Sequence, residues 1–229
     1  MAPSLNHRLH RLKKQITQII FLVSGVWCLA SFCYAQPSKY VRVSVIENAE
    51  SLNLKASGSY EITDSSGSVL SKGKSLKTTV VSYKDGFLIA GKNFKTNKVL
   101  IKTDGPDIFI INGRKFRGSL QFIIDKNAKL SVVNHIDLED YVQGILYHEA
   151  SHYWPMVALK SQAIVSRTYA VYQMQENKSK DYDLTSDIYS QVYGGKTSER
   201  YRTNKAVKDT RGIVLTYKDN IFPTFFHAT

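Results

Sequence analysis

The chain has 229 residues, enough to bury a sizeable core in one large domain or two small ones, and a formal charge of +12. Four of the excess cations lie in the first 35 residues, which contain no acid, so the remainder carries +8. Such a balance draws a protein towards anionic polymers or headgroups, or simply keeps its surface solvated. No stretch resembles a DNA- or RNA-binding motif, and the N-terminus described next argues for export, so nucleic acid is excluded as a partner.

His7, Arg8, His10, Arg11, Lys13 and Lys14 precede an apolar run from Ile19 to Ala30, then Cys33-Tyr34-Ala35 stands before Gln36-Pro37. A basic segment, an apolar stretch short for a membrane span and a small final residue read as a secretory signal peptide over residues 1–35. An uncleaved signal anchor is the alternative. Bulky Phe32 argues against a lipid anchor on Cys33. Both cysteines, Cys28 and Cys33, fall in this leader, so the exported part has neither a disulfide nor a thiolate ligand. The expected location is the periplasm or cell envelope.

Residues 36–115 form a β-rich N-terminal part. Tyr40–Val45 alternates apolar and polar residues as a half-buried strand does. Short apolar runs follow at Thr79, Phe87, Val99 and Ile108, and beyond this part at Leu120 and Leu130. Ser66-Gly67, Asp85-Gly86, Asp104-Gly105-Pro106 and Asn112-Gly113 supply turns. Many short strands at fairly regular spacing predict a small sandwich or barrel.

After Asn134 the period changes to that of a helix. Leu138, Tyr141, Val142, Ile145 and Leu146 make one apolar stripe over Leu138–Glu149, with acids in the first turn, and Pro155 predicts a break just after His152. A second helix, Met156–Glu176, is apolar on most sides, with Lys160 and Arg167 two turns apart on one face. Two cations on one stripe of a buried helix predict a polar cleft, or snorkelling at its ends. A strand-like tail, around Ile213–Tyr217 and Phe222–His227, completes an α+β fold. In that fold a β-rich N-terminal part precedes a helical part, residues 116–229, with a strand-rich C-terminal tail.

His148-Glu149-Ala150-Ser151-His152 is a literal H-E-x-x-H, the spacing that sets two imidazoles on one helical face for zinc. Zinc would require the helix to run on through Ala150 and Ser151 and a third ligand downstream. Pro155 crowds that extension, and Glu176, in a polar "QMQENKSK", is a poor third ligand. A zinc metalloprotease is therefore the lesser reading, with no metal expected.

A more demanding pattern surrounds the same glutamate. "WPMVALKSQA" at Trp154–Ala163, "SRTYA" at Ser166–Ala170 and "SQVYGG" at Ser190–Gly195 occur in fixed order between "FRGSLQF" at Phe116 and the end of the chain. Together they resemble the SpoIID family, the stage II sporulation protein D and amidase-enhancer type of domain. The resemblance implies a peptidoglycan lytic transglycosylase, in some members acting on peptide-stripped glycan, or a non-catalytic partner that enhances a cell-wall amidase or acts as an envelope scaffold.

It carries the catalytic acid onto Glu149, although Ala150-Ser151 replace a usual Met-Pro and His148 a small residue. It carries substrate-binding cations onto Lys160 and Arg167, and a polar segment onto Gln191 and Tyr193. No cofactor is implied. Some members hold zinc through His and Cys beyond the long helix, for which this exported part has no cysteine. The family also continues into a Cys-Gly-Gly segment, whereas this sequence stops at Thr229. The expectation is therefore either a fragment truncated at its C-terminus or an incomplete cleft.

The reaction implied needs one carboxyl rather than the two of ordinary glycosidases. Cleaving the MurNAc–GlcNAc β-1,4 bond without water, the C6 hydroxyl of MurNAc attacks its own C1 and leaves a 1,6-anhydro end. Glu149 would act first as acid and then as base. That role calls for a raised pKa from burial beside Tyr147, Tyr153 or Trp154. Lys160 and Arg167 would then serve the substrate carboxylate, with Tyr193 and Trp154 either stacking on sugar or packing in the core.

Overall fold

Alternation along the first half of the chain becomes two sheets. In the computed structural model residues 40–104, 108–187 and 190–225 are described. The expected leader with Cys28 and Cys33, and the end of the tail from residue 226, lie outside the described residues.

Twelve strands come first: β1 Tyr40–Ala49, β2 Ser51–Ala56, β3 Tyr60–Asp64, β4 Val69–Gly73, β5 Leu76–Tyr83, β6 Phe87–Ile89, β7 Lys92–Phe94, β8 Lys98–Thr103, β9 Phe109–Ile111, β10 Arg114–Phe116, β11 Ser119–Ile124 and β12 Leu130–Asp137. Helices α1 Leu138–Glu149 and α2 Met156–Glu176 follow, then β13 Leu184–Thr185, a 3-10 turn Gly195–Ser198, α3 Tyr201–Asp209, β14 Thr216–Tyr217 and β15 Asn220–Ile221. The fold is α+β.

One sheet runs β13-β1-β12-β11-β8-β3-β4 and the other β10-β9-β2-β5-β6-β7. Period-2 burial is clear in β2, where Leu52, Leu54 and Ala56 turn inward between exposed neighbours. Both sheets and the helices contribute to a single buried cluster, from Val41 and Leu54 to Phe122, Ile145 and Ala163. Strands from either side of residue 116 therefore share one sheet. The Asn112-Gly113 turn between β9 and β10 has φ of 47° and 85°, the left-handed pair a two-residue hairpin requires.

The passage from sheet to helix is abrupt. Asp137 ends β12, and its carboxylate accepts the Glu139 N–H at 2.9 Å, capping α1. Glu139 and Asp140 in the first turn oppose the positive end of the helix dipole. Ala150 ends α1 in extended geometry, φ −151° and ψ 136°. After a turn through Trp154, α2 begins behind Pro155, whose missing N–H costs a helix start nothing. Among the described residues no helix is long and apolar enough to cross a membrane.

The tail differs in detail from its expectation. Tyr201–Asp209 is a helix that the periodicity did not announce, because only Thr203, Ala206 and Val207 are buried in an otherwise polar stretch. The strand-forming residues there amount to the two-residue pair β14 and β15, with Ile213–Leu215 and Phe222–Phe225 irregular.

Candidate active site

Glu149 is the last residue of α1, and its position follows from what the segment 190–195 does to that helix. Tyr193 is buried at 1% exposure, and its hydroxyl donates to Asn134 Oδ1 at 2.8 Å. The amide of Asn134 donates in turn to the carbonyls of Arg117 and Ser119, at 2.8 and 3.1 Å, inside the sheet. The Tyr193 ring packs at 5.2 Å from Tyr141 and 6.0 Å from Phe116. Gln191 is equally buried: its carbonyl oxygen accepts the Tyr141 hydroxyl at 3.0 Å, and its amide donates to the Ser166 carbonyl at 3.4 Å. Both side chains are core anchors in this structure. Between them Val192 turns its backbone N–H to Glu149 Oε1 at 3.0 Å.

Glycine makes this approach possible. A Cβ on Gly144 would stand 2.5 Å from the Tyr193 ring, and one on Gly194 would stand 1.6 Å from Ser198 Oγ and 2.7 Å from His148 Nε2. The Gly194 N–H donates to the Gly144 carbonyl at 3.2 Å, so two backbones touch where no side chain intervenes.

Burial raises the Glu149 pKa, the Val192 N–H partly offsets that rise, and no neighbouring charge contributes. Oε2 makes no hydrogen bond among the described residues, which leaves that oxygen free to carry a proton. His148, one residue earlier, lies 2.6 Å from Ser198 Oγ. Its pKa is lowered by burial and then by Arg114 and Arg200, so near neutral pH the imidazole is uncharged and shares a hydrogen bond with the Ser198 hydroxyl.

The sequence-predicted cations go elsewhere. Lys160 Nζ meets Asp209 Oδ2 at 2.9 Å. Arg167 is fully buried and forks onto Glu139, Nε to Oε1 at 2.9 Å and Nη2 to Oε2 at 2.8 Å. Its remaining donors reach the carbonyls of Ile213 at 3.0 Å and of Ala163 and Val207 at 3.4 Å. A guanidinium has five N–H donors, and here all five are used. The cation stripe of α2 thus faces the C-terminal end of α3, where Asp209 and the last carbonyls provide negative charge.

Around Glu149 the loop after α1 presents rings. Tyr147 and His152 lie 5.4 Å apart, and His152 and Tyr153 3.9 Å apart. Tyr153 is 82% exposed, and Trp154 is exposed beside it. Arg202 fixes this loop by donating to the carbonyls of His152 and Trp154, both at 2.9 Å, while Arg200 covers the Tyr147 ring at 4.4 Å. Sequence reasoning missed Val192, Ser198, Arg200 and Arg202. None of these left a signal of its own; the neighbouring Gly194-Gly195 pair did, since adjacent glycines mark a close backbone approach.

The H-E-x-x-H spacing does not become a zinc helix. Because α1 stops at Glu149 and Ala150 is extended, His148 and His152 are not one helical turn apart. No group of three His, Cys, Asp or Glu side chains converges among the described residues.

The half-buried carboxyl of Glu149 and the "SQVYGG" segment that sets it at a helix end both lie within the stretch that matches a known family. Residues 126–217 match the model of SpoIID, described as a stage II sporulation protein. That match agrees with the resemblance read from its motifs. A Brachyspira hyodysenteriae (strain ATCC 49526 / WA1) protein described as uncharacterized is 40% identical over 140 residues, covering 58% of this chain and 38% of that protein. The amidase enhancer of Bacillus subtilis (strain 168) is 32% identical over 89 residues, covering 38% of this chain and 12% of that protein. The matches thus span well under two thirds of either relative.

Proposed function

We propose that the protein works on the bacterial cell wall as a peptidoglycan lytic transglycosylase, with Glu149 as its catalytic residue. The observation that carries this reading is the Glu149 carboxyl itself: solitary, half-buried, raised in pKa, with one oxygen held by the Val192 N–H and the other free. Protonated Glu149 gives its proton to the glycosidic oxygen as the C1–O4 bond breaks. The C6 hydroxyl of the same MurNAc then closes on C1, and its proton returns to the carboxylate, so no water enters and the acid is regenerated. One carboxyl suffices for both steps, whereas hydrolysis would require a second. In this reading the exposed rings of Tyr153 and Trp154, in the loop that follows Glu149, stack on sugar faces. Gln191, Tyr193 and Arg167 are positioning residues in this reading, and Lys160 is left as a surface pair with Asp209. Export to the periplasm or envelope is part of the proposal, since the substrate lies there.

Incubating the protein with isolated glycan strands tests it. Wild type releases 1,6-anhydro-MurNAc ends, and Glu149→Gln releases none while still sedimenting with the strands. Undiminished product from Glu149→Gln sinks the assignment, and loss of activity with a chelator revives zinc chemistry.

The likeness to an amidase enhancer favours a second reading, a glycan-bound activator of a cell-wall amidase. Stimulation of amidase turnover by wild type and Glu149→Gln alike, with no anhydro product from either, selects it.

A further inference from the structure

Away from Glu149 a cleft of about 480 Å³ opens between α1 and α3, with Gln143 on one wall and Tyr201, Asn204 and Lys208 on the other, closed at one end by Arg211. Gln143 stands six residues before Glu149, about 9 Å along α1 and about 120° around it, so the cleft is a separate site.

Its charges are not balanced. Glu139, at the edge, is held by Arg167 and by the Gly212 N–H at 3.1 Å, and Asp209 is shared between Lys160 and Lys205. Lys208 and Arg211 meet no carboxylate at ion-pair distance among the described residues, which leaves the cleft net positive.

One residue of its wall also carries an unsatisfied acceptor, buried behind the surface of the cleft. Asn204 Oδ1 is the one buried side-chain polar atom without a partner among the described residues. The amide cannot reverse to remedy this, because Glu199 Oε2 takes its Nδ2 donor at 3.1 Å and would repel the oxygen. The Asn204 amide, a second amide on Gln143, Lys208, Arg211 (whose charge also acts on Asp140) and the 83% exposed ring of Tyr201 make a set of complementary groups. A ring presents a stacking wall to a pyranose face, amides bond acetamido and hydroxyl groups, and the cations hold a carboxylate.

We propose that this cleft binds a carboxylate-bearing amino sugar, apart from the catalytic carboxyl. The choice of muramic acid as that sugar rests on the peptidoglycan reading above. The cleft would hold a glycan strand at a second point, one that selects the acidic sugar over the neutral one.

Titrating the full chain with N-acetylmuramic acid, N-acetylglucosamine and an acidic tripeptide, followed by NMR, decides the matter. N-acetylmuramic acid should bind about tenfold more tightly than N-acetylglucosamine, and the charge-reversed Lys208→Glu/Arg211→Glu pair should lose about tenfold, as two exposed charge contacts allow. Tyr201→Ala, which alters an exposed side chain only, should weaken both sugars. Glu149→Gln should bind as wild type does, which separates this site from the catalytic one: loss of anhydro product with binding intact leaves the inference standing. Equal affinity for both sugars, unchanged affinity in the double variant, or preference for the tripeptide overturns it.

Discussion

Glu149 gains its acidity from two opposed effects on one carboxyl. Removal from water disfavours the anion, and a single N–H on Oε1 favours it; burial is the larger. The raised pKa has a sign that can be checked. Folding binds the proton more tightly than the unfolded chain does, so the stability this group contributes is full below the ordinary glutamate range and is lost as pH rises through the folded pKa. Glu149→Gln, which cannot ionise, should therefore have a Tm at least as high as wild type at neutral pH, with the difference vanishing in acid. Thermal melts across pH check this, and a Gln variant that is less stable at every pH contradicts it. Activity should fall on the alkaline side of the same pKa, because the proton donor is then lost. Neutral His148 adds no positive charge beside the carboxyl to undo the shift.

Among the elements, α2 carries the largest consequence in one side chain. Arg167 joins α2 to the first turn of α1 through Glu139, to the end of α3 through the Val207 carbonyl and to the segment after it through the Ile213 carbonyl. Removing one partner of a buried pair leaves the other charge stranded, at a cost of about 3–5 kcal/mol. Arg167→Ala should lower the unfolding free energy by that order in urea, and glycan cleavage should fail because the helices shift. A variant of wild-type stability that has lost only activity would instead return Arg167 to the substrate. The loop between α1 and α2 is held more lightly, by the two bonds from Arg202, and it is where the exposed rings stand.

For the molecule as a whole, the strand order decides what can fold alone. The seven-stranded sheet interleaves β1, β3, β4 and β8 with β11, β12 and β13, so a cut at residue 116 leaves β12 without β1 and β11 without β8. The fragment 116–229 should be unfolded by circular dichroism and amide dispersion, although the family match begins within it at residue 126. A dispersed, cooperative fragment would show the helical part to be autonomous.

The physics of short-range order was legible in the sequence. Strand alternation, the Asn112-Gly113 hairpin, the start of α1 and both ends of α2 all follow from neighbours a few residues apart, and so does the prominence of Glu149 ahead of Trp154-Pro155. By contrast, α1 stops at Glu149, short of the break expected after His152. Periodicity said that Lys160 and Arg167 share a face, but not that the face meets Glu139 and the end of α3. That depends on partners 28 to 49 residues away in sequence, chosen by packing. The same holds for Tyr193, whose ring suited either a sugar face or the core and which packs on Tyr141 and Phe116 with its hydroxyl on Asn134. It holds also for the Val192 N–H, a backbone group that carries no sequence signal. Residue types and spacing determined which elements form and where a carboxyl stands out; the tertiary structure alone decided which polar groups are already satisfied, because a hydrogen bond spends a donor only once its partner is in place.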